Sequence, residues 1–531
     1  MEFDLLIRGG TVIDGTGSPR QKADVGITAG DVAAVGNLGE ARGREEIDAA
    51  GKIVAPGFID IHTHSDTSLF IYPEADSRVR QGITTEVVGN CSYSPFPINP
   101  EVRSFMGICL AQGMENPDWT WDDLEGYRTA LTKRSVAVNV APQVGHGSIR
   151  IAAMGMDNRA PRSDEITMMQ RLAAEAIDQG AFGFTTGLTL APSSYSETPE
   201  LIEISKAVAE RGGYYATHSR LWAGYHFRAV EEALEIGRQA KLPIQISHQT
   251  IIDPRYFGKS QHIVEMMEQA RREGIDVTYD VYPYIAGGTQ VDQLLPDWAL
   301  DGGTESLLGR LADPSTRAKL REETSRGWFR GIPWAWERVQ LTHIANPDLQ
   351  HLLGKSLAEA GDLLHLAPLD AMFHLLEATH NDVGVVVFNR DEADVQYFLA
   401  HPLSMIGSDG SSVSPRGGAL ETKPHPRFYG TYPRILGRYC RDLKIMSLET
   451  AIHKMTAAPA GRLGLKNRGR LVKGQAADVV IFDPETVIDR STFEQPHEYP
   501  LGIDYVFVNG TAVVTPAGHT GQRPGKVLAK G

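Results

Sequence analysis

Two kinds of hydrophobic pattern divide the chain. Up to about residue 55, short segments alternate apolar and polar residues and are separated by glycine-containing turns. The same alternation returns near the other end, in LVKGQAADVVIFDPETV and YVFVNGTAVVTPAG. A period of two indicates β-strands, because successive side chains of a strand point to opposite faces. We therefore predict a small β-sandwich domain built from both chain ends, residues 1–55 and 464–531.

Residues 56–463 instead alternate short apolar runs with amphipathic segments rich in helix-forming residues. The runs predict eight strands, at residues 58–62, 84–88, 136–140, 181–185, 214–217, 244–247, 277–279 and 403–406. The segments between them predict helices, among them 164–179, 199–211, 227–241 and 261–273. Eight strands alternating with helices predict a (β/α)8 TIM barrel, an α/β fold whose active site lies at the C-terminal strand ends.

A long stretch separates the seventh and eighth predicted strands. We predict that it holds an inserted, mainly helical element at about residues 290–400. One more apolar run, at residues 384–388, predicts an extra strand within the insertion.

Composition and charge narrow the class of protein. Hydrophobic residues make up 42% of the 531 residues and charged residues 22%, as in soluble globular enzymes. The net charge of −14 argues against nucleic acid or an anionic membrane as a partner. Three scattered cysteines, Cys91, Cys109 and Cys440, do not form a disulfide framework, and no secretory signal or membrane-spanning run is present. We expect a cytoplasmic protein that acts on a small molecule; the composition leaves the oligomeric state open.

Side chains that ligate metals follow five of the predicted strands. Each of them has an ordinary alternative, such as a buried hydrophobe, a histidine on the rim or a turn residue. Together they would converge, since the C-terminal ends of barrel strands meet at one mouth. Nitrogen and sulfur donors combined with a carboxylate suit Zn²⁺. The candidate ligands are His62, His64, Cys91, His218, His248 and Asp409.

Many segments of the chain resemble one family of enzymes. The matching segments are PGFIDIHTHSD, GITTEVVGNCS, QVGHGSIR, FGFTTGL, SSYSETPEL, YYATHSR, ISHQ, DVYPY, IGSDG, HPRFYGTYPRIL and KMTAAPAGRLGLKNRGRLVKGQAADVVIFDP. Through them the chain resembles the amidohydrolase superfamily and, within it, the D-aminoacylase (N-acyl-D-amino-acid deacylase) family. The resemblance covers essentially the whole length.

The resemblance implies a zinc enzyme that hydrolyses N-acyl-D-amino acids to a carboxylate and a D-amino acid. It assigns one tight zinc to one set of ligands and a second, weaker site to another. Asp409 is expected to accept a proton from the attacking water and to pass it to the leaving amine. The strand-four segment AFGFTTGLTL lacks the lysine that bridges two metals in many relatives, and Cys91 is expected to take its place. The tight set is Cys91, His218 and His248, and the weaker set is His62, His64 and Asp409.

The same resemblance implies a set of substrate contacts. Tyr282 of DVYPY matches a substrate-contacting tyrosine. Arg427 of HPRFYG matches an arginine that binds the substrate carboxylate, a task for which the guanidinium fork is suited. Arg220 is a second candidate for the carboxylate, and His146 of QVGHGSIR is also included among the expected contacts.

Two departures from the family pattern leave the substrate open. Gly288 stands where relatives carry a small hydroxyl residue, so that Thr289 would have to supply the hydroxyl, and Thr250 replaces a lysine. One alternative is an amide without the usual carboxylate, and another is a cyclic amide, as in dihydroorotase or hydantoinase. The missing strand-four lysine speaks against the cyclic amide. A third alternative, a non-catalytic scaffold, conflicts with the presence of all six metal-ligating residues.

Overall fold

The computed structural model describes residues 2–109 and 116–531; the side chain of Cys109 lies outside the described part. The strands are β1 Glu2–Val12, β2 Gln21–Thr28, β3 Asp31–Gly36, β4 Arg42–Asp48, β5 Ile53–Pro56, β6 Phe58–Asp60, β7 Ile83–Val88, β8 Asn139–Pro142, β9 Val144–Gly145, β10 Gly183–Gly187, β11 Tyr214–His218, β12 Ile244–Ile246, β13 Val277–Val281, β14 Gly287–Gln290, β15 Val339–Ile344, β16 Val383–Val387, β17 Ser404–Ile406, β18 Val479–Phe482, β19 Ile503–Val508, β20 Thr511–Thr515 and β21 Gly518–His519.

The helices lie between β6 and β18 in the chain, and none separates the strands from β1 to β6 or from β18 to β21. They are α1 Ser68–Ile71, α2 Asp76–Val79, α3 Pro100–Cys109, α4 Leu124–Arg134, α5 His146–Met154, α6 Ser163–Asp178, α7 Thr198–Ala209, α8 His226–Ala240, α9 Ser260–Arg272, α10 Thr304–Ala312, α11 Pro314–Ser325, α12 Leu357–Leu364, α13 Pro368–Ala378, α14 Glu392–Ala400, α15 Arg427–Arg434, α16 Leu448–Met455 and α17 Ala457–Leu463. In the two described ranges, no helix has the length and apolar character needed to cross a membrane.

Both ends of the chain contribute to one nine-stranded sheet. The strand order is β21-β20-β19-β18-β5-β1-β2-β3, and β4 pairs with β1. The link between the two ends is the antiparallel pair of β18 and β5, in which Val480 lies opposite Ala55. Alternate side chains of the sheet, including Leu5, Val25 and Phe507, form a hydrophobic core of their own. The matching patterns at the two ends therefore belong to one sheet.

Two parallel sheets present their strand ends to the candidate site. One has the order β6-β7-β8, and the other has the order β17-β13-β12-β11-β10-β9. Strand β8 pairs with β7 and β9 pairs with β10, so that Gln143 between them joins the two sheets. At the opposite edges, the backbone N–H of Asp409 donates to the carbonyl of His62 at 2.8 Å. The segments that follow β6 and β17 therefore lie side by side.

The eight predicted parallel strands are present, and four of them, β6, β8, β10 and β13, have an end that is shifted by two residues or more. The first strand ends at Asp60 because the Asp60 carboxylate, instead of a neighbouring strand, accepts the backbone N–H of His62 at 3.3 Å. The third begins at Asn139 rather than residue 136. Its predicted first residues pair with the C-terminal tail, since Gly525 N–H donates to the carbonyl of Val136 at 2.8 Å. The pattern of apolar residues indicates that a segment is buried, but it does not reveal which other segment pairs with it.

The insertion between β13 and β17 contains a small antiparallel sheet in addition to helices. Its strand order is β14-β16-β15. Strand β16 is the extra strand predicted from the sequence, whereas β14 and β15 were not predicted, because β14 reads GGTQ and β15 has polar residues among its apolar ones. Residues such as Leu307, Leu341 and Phe373 form a separate core. Helix α14 packs against α9 and β17 and not within this unit.

A buried ion-pair cluster lies beneath the ends of β6 and β17. The fully buried Arg78 pairs with Asp60, and its Nε lies 2.8 Å from Glu86. Burial raises the pKa values of Asp60 and Glu86, and the charge of Arg78 opposes that rise. The Asp60 carboxylate also accepts the backbone N–H of Ser408 at 2.9 Å. The cluster therefore joins the two segments that carry His62 and Asp409.

Replacing Arg78 with methionine should lower the free energy of unfolding by about 3–5 kcal/mol, because two buried carboxylates lose their counter-charge. Chemical unfolding followed by tryptophan fluorescence would measure the change. Arg44→Met is the matched control, since that side chain is 73% exposed. The control should cost less than about 1 kcal/mol. Equal stabilities for the two variants would contradict this account of the cluster.

Candidate metal centre

Four of the six predicted metal ligands meet at the strand ends. The donor atoms of His62, Cys91, His248 and Asp409 lie within 4.8 Å of one another, and all four residues are buried. The Cys91 Sγ lies 3.2 Å from Nε2 of His62 and 3.4 Å from Nε2 of His248. Oδ1 of Asp409 lies 3.5 Å from Nε2 of His62. Residues far apart in the sequence thus present their donor atoms to one point.

The other two predicted ligands lie beside this group. Nε2 of His64 is 3.0 Å from Oδ1 of Asp409. The ring of His218 lies 4.5 Å from the ring of His248, and its Nε2 is 2.6 Å from the hydroxyl of Thr189. The structure therefore brings all six side chains together. The closest four include two members of each predicted set, Cys91 and His248 from one and His62 and Asp409 from the other.

The spacing of the donor atoms fits a zinc ion. Zinc binds sulfur at about 2.3 Å and nitrogen at about 2.0–2.1 Å, so a tetrahedral angle places these two donors about 3.5 Å apart. The two sulfur–nitrogen distances at Cys91, 3.2 and 3.4 Å, are close to this value. Thiolate, imidazole and carboxylate are also the ligand types that zinc prefers. Both the geometry and the chemistry of the donor set therefore suit Zn²⁺.

The electrostatics of the site favour the ligating forms of Cys91 and Asp409. Burial alone would raise the pKa of the Cys91 thiol, but the positive charges of His62 and His248 hold it well below its usual range. Burial would also raise the pKa of Asp409, and the charges of Arg427 and His248 hold it well below its ordinary value. A thiolate and a carboxylate are therefore available to a cation without prior loss of protons.

Three of the four closest ligands have unusual backbone conformations. Cys91, His248 and Asp409 have φ values of 50°, 32° and 53°, in the left-handed region that side chains disfavour. Such conformations persist where the surrounding structure enforces them, and they are common at functional sites. The turn after each strand is therefore shaped to aim the side chain at the centre, a feature that the sequence does not reveal.

Asp280 supports the ligands from behind and was not predicted. Its Oδ1 lies 3.2 Å from Nδ1 of His62 and accepts the backbone N–H of His248 at 2.7 Å. Its Oδ2 accepts a hydrogen bond from Gln245 at 3.0 Å. A carboxylate behind a ligating histidine fixes the ring orientation and the tautomer. The first residue of the DVYPY motif thus contacts two of the candidate ligands, His62 and His248.

Asp280→Asn should weaken zinc binding about 10- to 100-fold, because His62 loses the charged partner that orients it. Competition with a chromophoric chelator would measure the affinity. Asp292→Asn is the matched control, since Asp292 is a buried carboxylate of the insertion that accepts hydrogen bonds from Gln293 and Asn381. Equal affinities for the two variants would show that Asp280 does not support the metal ligands.

A cavity opens onto the metal-ligating side chains. Tyr282, Arg427, Gly288 and Thr289, all expected substrate contacts, line it, and Thr250 lies at its wall. The apolar part of the wall comes from both the parallel strands and the insertion. This part includes Leu221, Ile252, Trp328, Phe329 and Val387.

Arg427 links the cavity to the metal centre. Its Nη1 lies 2.8 Å from Oδ2 of Asp409 and donates to the hydroxyl of Tyr282 at 2.9 Å. A Cβ atom added at Gly288 would lie 3.5 Å from Nη2 of Arg427. Gly288 therefore lies beside the guanidinium of Arg427 and leaves space there. Thr289 is the next residue of β14.

Two expected substrate contacts, Arg220 and His146, do not line this cavity. Arg220 pairs with Glu232 of α8, with Nε 3.0 Å from Oε2, and lines a separate cleft. His146 is fully buried, with Nδ1 2.7 Å from the hydroxyl of Ser193 and Nε2 2.9 Å from Glu200 of α7. Acidic partners on neighbouring helices hold both side chains in place. Arg220 is close in sequence to His218, and His146 belongs to the motif QVGHGSIR, but neither fact reveals these acidic partners.

One cavity residue, Arg390, was missed by the sequence analysis. It follows β16, and its Cζ lies 4.2 Å from the centroid of the Tyr282 ring. The segment FNRDEAD falls in the predicted insertion, where no motif indicated a functional residue.

Comparisons with known proteins place the chain in a family. Residues 45–297 and 362–514 match the model described as "Amidohydrolase family". The chain belongs to the amidohydrolase family. It is 37% identical to the D-aminoacylase of Alcaligenes xylosoxydans xylosoxydans, in an alignment that covers 99% of this chain and 98% of that protein. It is 35% identical to the N-acyl-D-glutamate deacylase of the same organism, in an alignment that covers 100% of this chain and 97% of that protein.

Solved structures show the same relationship. The N-acyl-D-glutamate deacylase of Bordetella bronchiseptica, complexed with zinc and a phosphonate mimic of the tetrahedral intermediate, is 35% identical with a TM-score of 0.83 and full coverage of both chains. A crystal structure of D-aminoacylase is 37% identical with a TM-score of 0.82, covering 99% of this chain and 100% of that one. The L-hydantoinase of Arthrobacter aurescens, at 17% identity and a TM-score of 0.56, shares the fold alone. These matches confirm the family and the α/β fold expected from the motifs.

Proposed function

We propose that the protein is a zinc-dependent amidohydrolase that converts N-acyl-D-amino acids into a carboxylate and a free D-amino acid. One observation carries the proposal: donors that suit zinc meet beneath a cavity that an arginine and a tyrosine line. Cys91, His248 and Asp409 border this cavity together with Arg427 and Tyr282. The similarity to D-aminoacylase over nearly the whole chain supports the same substrate class.

Zinc would be held by residues from both predicted sets. We assign the tight site to Cys91, His218 and His248, and a weaker second site to His62, His64 and Asp409. Zinc supplies a Lewis acid for the amide carbonyl and an activated water at neutral pH. Because the pKa of the Cys91 thiol is held well below its usual range, the thiolate that zinc binds is available.

Asp409 is the proposed proton carrier. It lies between the donor group and Arg427, and its two oxygens face different partners, His64 on one side and Arg427 on the other. Because its pKa is held low by Arg427 and His248 against the effect of burial, it is ionised when the substrate arrives. It can then accept a proton from water at a carboxylate oxygen and deliver it to the nitrogen of the leaving amine.

Arg427 and Tyr282 are proposed to orient the substrate. The guanidinium can donate two hydrogen bonds to a carboxylate, and Tyr282 fixes the position of Arg427 through the 2.9 Å hydrogen bond between them. Thr289 in β14 lines the same cavity and can supply the hydroxyl that Gly288 lacks. These contacts would place the amide bond over the metal-ligating residues.

The proposed architecture extends what the strand pairing shows. We assign residues 56–463 to one (β/α)8 barrel, with the insertion at about 290–400, and residues 1–55 and 464–531 to a β-sandwich. Backbone hydrogen bonds at both junctions of the parallel sheets support closure, from Phe182 N–H to Pro142 and from Asp409 N–H to His62. We also assign the protein to the cytoplasm, since a reducing compartment keeps the free thiol of Cys91 available as a ligand.

A chiral substrate panel tests the proposal. The zinc-loaded protein would be offered N-acetyl-D- and N-acetyl-L-amino acids, hydantoins and dihydropyrimidines, with metal analysis of the same preparation. We expect hydrolysis of D-enantiomers only. Ring opening of the cyclic amides would favour the hydantoinase-like alternative instead. Retained zinc with no turnover of any amide would favour a scaffold.

A further inference from the structure

Arg390 is a cation at the substrate cavity that lacks an acidic partner. Its guanidinium lies against the ring of Tyr282, with Cζ 4.2 Å from the ring centroid. The buried Nε has no hydrogen-bond partner. The side chain shares a hydrogen bond with Tyr282, and the carboxylate whose charge acts on it, Asp409, is paired directly with Arg427. Burial lowers the pKa of Arg390, yet an arginine stays charged. Such a charge is costly to bury unless a ligand compensates it.

Arg427 lies on the same tyrosine but is already paired. Its Cζ is 4.9 Å from the centroid of the Tyr282 ring, and Nη1 lies 2.8 Å from Oδ2 of Asp409. The Nε of Arg427 also lacks a hydrogen-bond partner. Two guanidinium groups therefore face the cavity with one protein carboxylate between them. One positive charge then remains for a bound anion, together with N–H donors that include the Nε of each arginine.

We propose that Arg390, together with Arg427, binds the single carboxylate of the substrate, and that the preferred N-acyl-D-amino acids carry an apolar side chain. This inference rests on the proposed function and deepens it. The Nε and Nη donors of an arginine match the two oxygens of a carboxylate. Gly287 makes room for this arrangement, since a Cβ atom there would lie 3.1 Å from Nη2 of Arg390.

The rest of the cavity wall supports a substrate with one carboxylate. Among the arginine and lysine side chains of the described residues, Arg390 and Arg427 alone line the cavity. Once they hold one carboxylate, no third such cation is available for an acidic side chain of the substrate. Leu221, Trp328 and Phe329 offer an apolar surface instead. Burial of apolar substrate atoms against that surface is favourable.

The test compares an acid with its neutral amide in wild type and variants. The substrates are N-acetyl-D-methionine, its carboxamide and N-acetyl-D-glutamate. Arg390→Met should lower kcat/KM for the acid about 10- to 100-fold, mainly through KM, while the carboxamide changes little. Arg390→Lys should keep part of the preference for the acid, because it retains the charge. Arg330→Met is the control, since Arg330 lies in the same insertion and pairs with Asp297 at the separate cleft.

Each outcome separates this inference from the proposed function. Zinc-loaded wild type that hydrolyses none of the three substrates would contradict the proposed function itself. Active wild type with an unchanged ratio of acid to amide in Arg390→Met would overturn the role of Arg390. So would an equal loss on both substrates with zinc retained, because Arg390 would then support the site and not the carboxylate. A wild type that prefers N-acetyl-D-glutamate would overturn the assignment of an apolar side chain.

Discussion

Asp409→Asn should lower kcat for N-acyl-D-amino acids about 10²- to 10⁴-fold while the protein keeps its tightly bound zinc. The carboxamide has nearly the same size as the carboxylate but cannot accept the proton at neutral pH. The tight ligands that we propose are other residues, and the two carboxylate oxygens of Asp409 contact His64 and Arg427, which are not among them. The variant therefore separates proton transfer from metal binding.

Steady-state kinetics and metal analysis of the same preparation would measure both effects. Asp292→Asn again provides the control, because it changes a buried carboxylate of the insertion. The control should keep both activity and zinc. Loss of zinc together with activity in Asp409→Asn would show that Asp409 belongs to the tight ligand set.

Cys91→Ala should empty the metal site, with zinc affinity lowered by at least about 100-fold and activity lost with the metal. The thiolate is the strongest zinc ligand in the group, and its sulfur lies within 3.4 Å of two imidazole nitrogens. Without it, His62 and His248 lose the negative charge between them. The remaining imidazoles then repel each other whenever both are protonated.

Cys440→Ala is a matched control for this variant. Cys440 is also a buried free cysteine, burial raises the pKa of its thiol to about 12, and it does not belong to the group of candidate metal ligands. Zinc content after dialysis, measured by atomic absorption, should stay at the wild-type level in this control. A fully metallated and active Cys91→Ala variant would limit Cys91 to a structural role.

The candidate metal ligands could be found from the sequence because their positions follow local rules. Short apolar runs mark parallel strands, and the residues that follow them lie at one end of the sheet. His62, Cys91 and His248 could be found in this way, and the structure brings their donor atoms together. The ligand types alone then indicated zinc.

The remaining parts of the site depend on contacts between distant segments. The pairing of Asp280 with His62 joins β13 to the end of β6, and Arg390 reaches Tyr282 from the insertion. Arg220 and His146 resembled site residues until their partners Glu232 and Glu200 were known. A side chain's partner is fixed by tertiary packing, so neither the contacts of Asp280 nor the partners of Arg220 and His146 could be derived from local sequence.

Zinc-dependent, stereospecific turnover tests the central claim most directly. Protein stripped of metal with a chelator would be titrated with zinc while the release of free methionine from N-acetyl-D- and N-acetyl-L-methionine is followed. We predict that the metal-free protein has no activity. With added zinc, only the D-enantiomer should be hydrolysed, and its rate should reach a plateau at about one zinc per chain. Full activity of the metal-free protein, or equal rates for the two enantiomers, would contradict the account.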